Sequence, residues 1–323
     1  MQPLVTLIVP VFNAEKTISR CVSSLTAQTY KNIEILLFND GSTDQSLEKI
    51  RAFRAQDKRI QVLSHDNCGA AATRNIGIRL AAGDYLAFVD ADDCIDASSI
   101  ERCLARCRAE TDIVLCGLRL HSKSPGNNHV DILPIPDAWS QLKFPATAFK
   151  LYRRDFLLDN NVTFPNFVVS EDILFNLHAY ACTSNVEYVS EPLYHIYEHA
   201  DSTTHRAYQA KLVDILDNVL VIQQQNWLKK FPYEQGSFFL KKMIVQNALS
   251  QLRHHTVSDV ARLFKKNLDY MRRHYDVRFS NLPHEDTTIK FIVNTCLMAY
   301  RCKLLTPMLW MGKLMCRFSH QYR

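Results

Sequence analysis

Glycine is scarce in this 323-residue chain, eight in all, and none of the glycine patterns that cradle phosphates is present. No G-x-G-x-x-G follows a strand-like run, which argues against a dinucleotide-dependent dehydrogenase. No glycine-rich loop follows the first strand-like run either, which argues against a sugar nucleotidyltransferase. The ten cysteines form no C-x-x-C pair and no Cys/His spacing of a zinc site. Scattered thiols of this kind fit a reducing cytosol. No window offers eighteen uncharged apolar residues, so a membrane span is not expected. The start, Met1-Gln2-Pro3-Leu4-Val5, has neither the basic opening nor the cleavage site of a signal peptide.

What is there is enough apolar material for a sizeable core, 47 % of residues, and a net charge of +5 that hides an asymmetry. From Arg206 onward 19 Lys and Arg face 8 Asp and Glu, a balance of +11; the first 205 residues carry 19 against 25, a balance of −6. An acidic front and a basic back imply two regions with different partners.

The first 115 residues alternate in period. Val5-Thr6-Leu7-Ile8-Val9 reads as a strand buried on both faces and ending at Pro10. A helix follows from about Glu15 to Gln28, with Ile18, Val22 and Leu25 at helical spacing. Ile33 to Phe38 is a second strand, and a helix runs to about Gln56. Ile60 to Leu63 is a third strand, a helix spans about Ala70 to Ala81, and Tyr85 to Val89 is a fourth strand. Such alternation predicts an α/β fold with a mostly parallel sheet, in which ligands bind beyond the carboxyl ends of the strands. Pro10-Val11-Phe12-Asn13, Asn39-Asp40 and Asp90 to Asp93 all follow such ends. Past Cys116 the pattern becomes irregular to about Tyr197. Beyond Arg206 it reads as helix, with breaks near Phe231-Pro232, Asn281-Leu282-Pro283 and Thr306-Pro307.

The sharpest signal is Phe88-Val89-Asp90-Ala91-Asp92-Asp93, an apolar strand running into three carboxylates. Like charges this close raise one another's pKa unless a cation sits among them. Oxygen ligands of this type suit Mg²⁺ or Mn²⁺, ions that also bind substrate phosphates. A capped helix is the plainer reading, since Asp96 can serve as an N-cap, but it does not account for the other three.

The N-terminal block resembles the family 2 glycosyltransferases. The resemblance rests on Val5 to Asn13, Gln28-Thr29-Tyr30-Lys31-Asn32-Ile33-Glu34-Ile35, Asn39-Asp40-Gly41-Ser42-Thr43-Asp44, Asn67-Cys68-Gly69, Arg74-Asn75-Ile76-Gly77, Gly83-Asp84-Tyr85 and Phe88 to Asp93. It continues more loosely through Ser170-Glu171-Asp172-Ile173-Leu174-Phe175, Leu193-Tyr194 and Asp201-Ser202-Thr203. It implies a GT-A, Rossmann-like nucleotide-binding domain over residues 1–205, with a nucleotide half to 115 and an acceptor half from 116, followed by an α-helical region over 206–323.

The resemblance also implies roles. Asp40 would accept the N3–H of a uracil-like base, and Pro10, Phe12 and Asn13 would line the base pocket. Arg74 would lie over the nucleotide or its phosphates. Asp92 would ligate a Mn²⁺ or Mg²⁺ bridging the diphosphate, with Asp90 and Asp93 dividing metal and ribose between them. Asp172 would be the base that deprotonates the acceptor hydroxyl, and one displacement would invert the anomeric carbon. Each has a plainer alternative: a helix cap for Asp40, packing for Phe12, a solvated helical arginine for Arg74, and first-turn acids for Glu171 and Asp172. His205-Arg206, near His195 and His199, is a further possible diphosphate contact, although packed or surface histidines are commoner. Asn39 stands where the family often has a second Asp. The Gln-x-x-Arg-Trp signature of processive members is reduced to Gln223-Gln224-Gln225-Asn226-Trp227.

The resemblance implies a non-processive transferase using a UDP-sugar, with a glycan or lipid-linked acceptor in lipopolysaccharide or capsule assembly. Apolar and cationic residues alternate from Ile289 to Arg317, which suits peripheral contact with an anionic membrane as well as it suits a helical bundle with a basic face. Nucleic acid is not an expected partner, because no binding motif accompanies the charge. A non-catalytic glycan- or lipid-binding protein with a retained GT-A fold is the reading from a different class.

Overall fold

A computed structural model describes residues 2–121, 129–134, 136–143, 146–148, 150–167, 169–197, 209–274, 287–311 and 313. The chain divides into two compact units, Met1–His199 and Ala200–Arg323.

In the first unit β1 (Val5–Val11), β2 (Ile33–Asp40), β3 (Ile60–His65) and β4 (Tyr85–Phe88) alternate with α1 (Ile18–Thr26), α2 (Ser46–Gln56) and α3 (Ala70–Leu80). Then come β5 (Cys94–Ile95), α4 (Ser99–Leu104), β6 (Ile113–His121), β7 (His129–Ile132), α5 (Ala138–Lys143), β8 (Lys150–Arg153), α6 (Arg154–Asp159), α7 (Glu171–Cys182) and β9 (Val186–Tyr197). One sheet takes the order β3-β2-β1-β4-β8-β6-β9-β5, with β7 on β6. The β3/β2, β2/β1, β1/β4 and β6/β9 pairs are parallel. The chain thus builds outward from β1 to β3 and returns with β4 on the other side of β1. That reversal opens a crevice at the carboxyl ends of β1 and β4.

Alternate β1 side chains serve two cores. Val5, Leu7, Val9 and Val11 are buried with Ile18, Cys21, Val22 and Leu25 of α1. Ile8 faces α3, where Gly77 comes so near that an added Cβ would stand 2.6 Å from Ile8 Cγ2. Each fully buried Val, Leu or Ile contributes about 1.5–3 kcal/mol, so the sheet is rigid where it must aim the loops beyond it.

Several boundaries differ from the sequence reading, and each has a cause. β1 continues through Pro10 to Val11. Residues two apart in a parallel strand present their backbone to the same neighbour, and Ile8 presents its carbonyl to Val89. Pro10 therefore turns its missing N–H toward the β4 side, where pairing has ended at Ile8. β2 likewise runs on through Asp40, because β3 pairs with it as far as His65. α1 begins only at Ile18. Asp96 is not a helix cap: Ser98 occupies that position, and the Asp96 carboxylate meets His195 at 3.3 Å. The region after Cys116 is not irregular, since β6, β8 and β9 complete the sheet, α7 comes between the last two, and residue 116 lies inside β6.

In the second unit α8 (Leu216–Gln224), a 3₁₀ turn (Trp227–Lys230), α9 (Tyr233–Gln251), α10 (Val257–His274) and α11 (Thr287–Arg301) are all helical. α9 buries Phe238, Phe239, Leu240, Met243, Ile244 and Val245, and with them the polar Lys241, Asn247 and Gln251, so it is buried on most of its faces. The break at Phe231-Pro232 is present, with Pro232 as the N-cap of α9, and the one at 281–283 lies outside the described residues. Thr306-Pro307 is not a break. A helix spans 305–311 and Pro307 lies in its first turn, where a missing N–H costs nothing; the interruption comes at 302–304. Among the described residues no helix is long and apolar enough to cross a membrane.

Candidate active site

Beyond Phe88 the chain turns at once: Asp93 N–H donates to Asp90 O at 3.0 Å. Carboxylate oxygens of Asp90, Asp92 and Asp93 thereby come within 4.8 Å of one another. Two aromatic residues of β9 fix the turn. Tyr194 donates its hydroxyl to Asp93 Oδ2 at 2.9 Å while accepting Asp90 N–H at 3.1 Å, and Tyr197 N–H reaches Asp93 Oδ1 at 3.2 Å. Arg20 of α1 donates to Asp92 O at 2.6 Å with its guanidinium 3.6 Å above the Tyr197 ring. Burial, then the charges of Asp90 and Asp92, push Asp93 up to about 8. Clustered oxygen donors whose charges raise one another's pKa fit a hard divalent ion.

Arg74 of α3 connects this turn to the second acidic pair. Its Nη2 lies 2.7 Å from Asp90 Oδ1 and its Nη1 3.2 Å from Glu171 Oε1, and the guanidinium stands 5.3 Å from the Phe164 ring centroid. Burial would lower its pKa, but Asp90 and Glu171 more than offset that and hold it above the ordinary arginine range. Its Nε is buried and has no hydrogen-bond partner among the described residues. Arg74 is therefore an internal bridge and not a solvated helical arginine.

Glu171 and Asp172 open α7 behind Ser170, which sits at φ +65°. Burial and the Asp172 charge raise Glu171 to about 7 despite the Arg74 bond. Asp172 is raised too, by burial first, against the pull of Arg74 and Lys150. A carboxyl group held above its solution pKa is a better proton acceptor at neutral pH. Beneath it Lys150, wholly buried, donates to Ala146 O and is pushed by burial down to about 7. Phe164 and Phe175, stacked 4.0 Å apart, with Phe88 edge-on to both, form the dry floor that makes these shifts large.

The loops after β1 and β2 are laced together. Asn13, at φ +49°, accepts Thr43 N–H at 2.8 Å on Oδ1 and donates its own N–H to Ser42 Oγ at 3.1 Å. Pro10 lies in β1, and Phe12 beside it is exposed. Asp40 is buried and caps neither the helix after it nor α3: its oxygens take Cys68 N–H at 2.7 Å and Gly69 N–H at 3.0 Å, in the turn just before α3. His65 Nδ1 lies 3.4 Å from Oδ1, and Oδ2 keeps a second lone pair. Gly41, at φ +69°, must lack a side chain, for a Cβ would meet Asn67 N at 2.8 Å.

The structure thus brings Asp90, Asp92, Asp93, Arg74 and Asp172 to one end of the sheet, with Asp40 at the end of β2 and Asn13 in the loop after β1. His195 is packed, hydrogen-bonded to His121 at 2.9 Å; His199, His205 and Arg206 lie outside the described residues. Sequence reasoning missed Arg20, Tyr197, Lys150 and the bridging role of Glu171. Tyr194 carried a signal in its resemblance, and nothing in the chain's pattern marks the others.

Known proteins share this chain's family and fold. A family model described as glycosyl transferase family 2 matches residues 6–174. The putative glycosyltransferase EpsH of Bacillus subtilis is 31 % identical over 283 residues, 82 % of this chain and 81 % of that one. Among solved structures, S. aureus TarS 1-349 in complex with UDP superposes with a TM-score of 0.54 at 19 % identity, covering 93 % of this chain and 91 % of that one. The mannosyltransferase PcManGT of Pyrobaculum calidifontis, in complex with GDP-Man and Mn²⁺, does so with a TM-score of 0.55 at 13 % identity, covering 98 % and 87 %. The shared architecture is GT-A.

Proposed function

The chain belongs to the family 2 glycosyltransferases, and on that premise we propose that it moves one sugar per turnover from a UDP-sugar to an acceptor hydroxyl, inverting the anomeric centre with the help of a divalent metal. The observation that carries this reading is the Arg74 bridge, which holds the Asp90–Asp93 turn and the Glu171-Asp172 pair at one sheet end. Leaving-group and nucleophile chemistry then share a site.

Asp40 accepts the base N3–H on a lone pair its backbone partners leave open, beside Pro10, Phe12 and Asn13. Asp92 holds Mn²⁺ or Mg²⁺ together with Asp90, whose other oxygen is committed to Arg74. Asp93, with both oxygens taken by Tyr194 and Tyr197, sets the turn and faces the ribose. The ion, when bound, neutralises charge growing on the departing diphosphate. Arg74 adds a fixed positive charge in a dry site, where it is worth more than in water. Asp172 takes the acceptor proton as the new bond forms. Direct displacement by the acceptor oxygen, with the diphosphate leaving from the opposite face, turns an α-linked donor into a β-glycoside.

The acceptor in this reading is a glycan or lipid-linked saccharide of lipopolysaccharide or capsule assembly. It is met at the inner face of the cytoplasmic membrane, with the basic helical region toward anionic lipid. Hydrolysis of a panel of UDP-sugars, followed by proton NMR of the released sugar, tests the chemistry. One donor is expected to be cleaved with Mn²⁺ and not with chelator, giving first the inverted anomer. Asp172→Asn should lose cleavage and keep UDP binding. UDP binding without cleavage of any donor would favour the non-catalytic binding protein.

A further inference from the structure

The second unit holds a cleft that the transfer reaction does not use. It measures about 930 Å³ and lies between one stripe of α10 and the segment from Tyr300 to Thr306. Ser258, Ala261, Arg262, Lys265, Asp269 and Arg272 follow one another at helical spacing on the α10 side. Arg301 and Lys303 face them from the other wall. Five cations thus converge on one cavity. The one carboxylate among its described lining residues, Asp269, is engaged by the Tyr300 hydroxyl, and Arg262 is shared with Asp259 outside it. All five are exposed, and together they give the cleft a positive field that attracts an anion.

The backbone at Lys303 points the same way. α11 closes with Lys303 N–H on Tyr300 O at 3.1 Å and Leu304 N–H on Ala299 O at 2.7 Å, and Lys303 stands at φ +60°. This is the Schellman arrangement, whose left-handed residue is ordinarily glycine. A lysine here holds a strained conformation, and it sets a cation on the cleft wall where glycine would offer none. Strain kept in a functional position is a common sign of a site.

The chain that supplies the second wall, from α11 through the helix over 305–311, also exposes apolar surface. Six of the twelve exposed large apolar side chains among the described residues fall between Phe291 and Met311. Leu304 separates two lining residues, and Trp310 and Met311 belong to the helix that Leu305 and Thr306 begin. Both are more than half exposed. A free phosphate gains nothing from that surface, whereas a lipid brings acyl chain beside its head group.

We propose that this cleft binds the phosphate head group of an anionic lipid, with Phe291, Leu304, Trp310 and Met311 at the acyl boundary. This deepens the membrane-facing acceptor reading given above and rests on it.

The test is co-sedimentation with phosphatidylcholine vesicles and with vesicles also carrying phosphatidylglycerol, using the full chain, Lys303→Gly and Arg301→Gln. The full chain is expected to bind only the anionic vesicles, less so as salt rises. Each variant should weaken binding about fivefold, the equivalent of roughly 1 kcal/mol per cation. Lys303→Gly should melt no lower than the parent, because glycine relieves the left-handed residue. Arg301→Gln, at an exposed helix end, keeps the test decisive if the glycine variant is poorly folded.

Equal binding to both vesicle types, or variants that bind like the parent, would overturn the proposal. So would inorganic pyrophosphate protecting the cleft with no vesicle binding, which would make it a free-phosphate site. UDP binding measured on the same samples keeps the two readings apart. Its loss counts against the transferase reading, and loss of vesicle binding alone counts against this one.

Discussion

Arg74 Nη2 lies 2.7 Å from Asp90 Oδ1, and this bond holds the acidic turn after β4 to a helix that begins beside Asp40. Through its other nitrogen the same guanidinium reaches Glu171, 97 residues further along the chain. One buried cation thus sets the distance between the groups proposed for leaving-group and nucleophile chemistry.

Replacing Arg74 by Met should destabilise the fold by roughly 2–4 kcal/mol. That is below the full cost of breaking a buried pair, because Asp90 is partly solvated. Lysine, with one ammonium for two partners, should recover only part of it. Urea denaturation of the three proteins checks the order.

Without metal, stability should fall as pH rises. Asp93 has a folded pKa of about 8 against 3.8 in the unfolded chain, and Glu171 about 7 against 4.5. The folded state therefore keeps protons that the unfolded chain releases. This contribution is fully present below pH 4 and is lost through pH 7–8. Lys150 has the opposite sign but acts only above about 7. In chelator, melting temperature should decline from pH 5 to 7, and Asp93→Asn should match the parent at pH 4 and melt higher at pH 8. A flat parent profile would contradict the assignment.

Asp172→Asn should lower the rate of transfer by about 10²–10⁴, the usual contribution of a positioned base, with UDP affinity little changed. A matching loss of UDP affinity, read by titration, would make Asp172 a donor-site residue instead.

Gly77→Ala should cost about 1–3 kcal/mol, the price of overpacking, since the new methyl meets Ile8 Cγ2 at 2.6 Å. Thermal denaturation reads it directly.

How far the sequence was legible follows from how local each signal is. β1 to β4 were readable because β-branched runs and intervening helical periods are local. Their ends were less so, because Pro10 and Asp40 stay in strands only through the neighbours they pair with. β8 has four residues and β9 pairs with β6 across some seventy intervening positions, so neither leaves a periodic trace. At the site, Asp90, Asp92 and Asp93 announced themselves by charge density, whereas Asp40 and Asp172 stood out only through the family resemblance. Arg20 and Tyr197, which hold the turn from two distant elements, look like any helical arginine or strand tyrosine until the chain is folded.

The central claim is that the Asp90–Asp93 turn binds a divalent ion together with a nucleoside diphosphate. Calorimetric titration of UDP into the protein, with Mn²⁺ and with chelator, for the parent and Asp92→Asn, tests it most directly. The account predicts tight binding to the parent only with Mn²⁺, and loss of that metal-dependent gain in the variant. Equal UDP affinity with and without metal, or a variant indistinguishable from the parent, would contradict it.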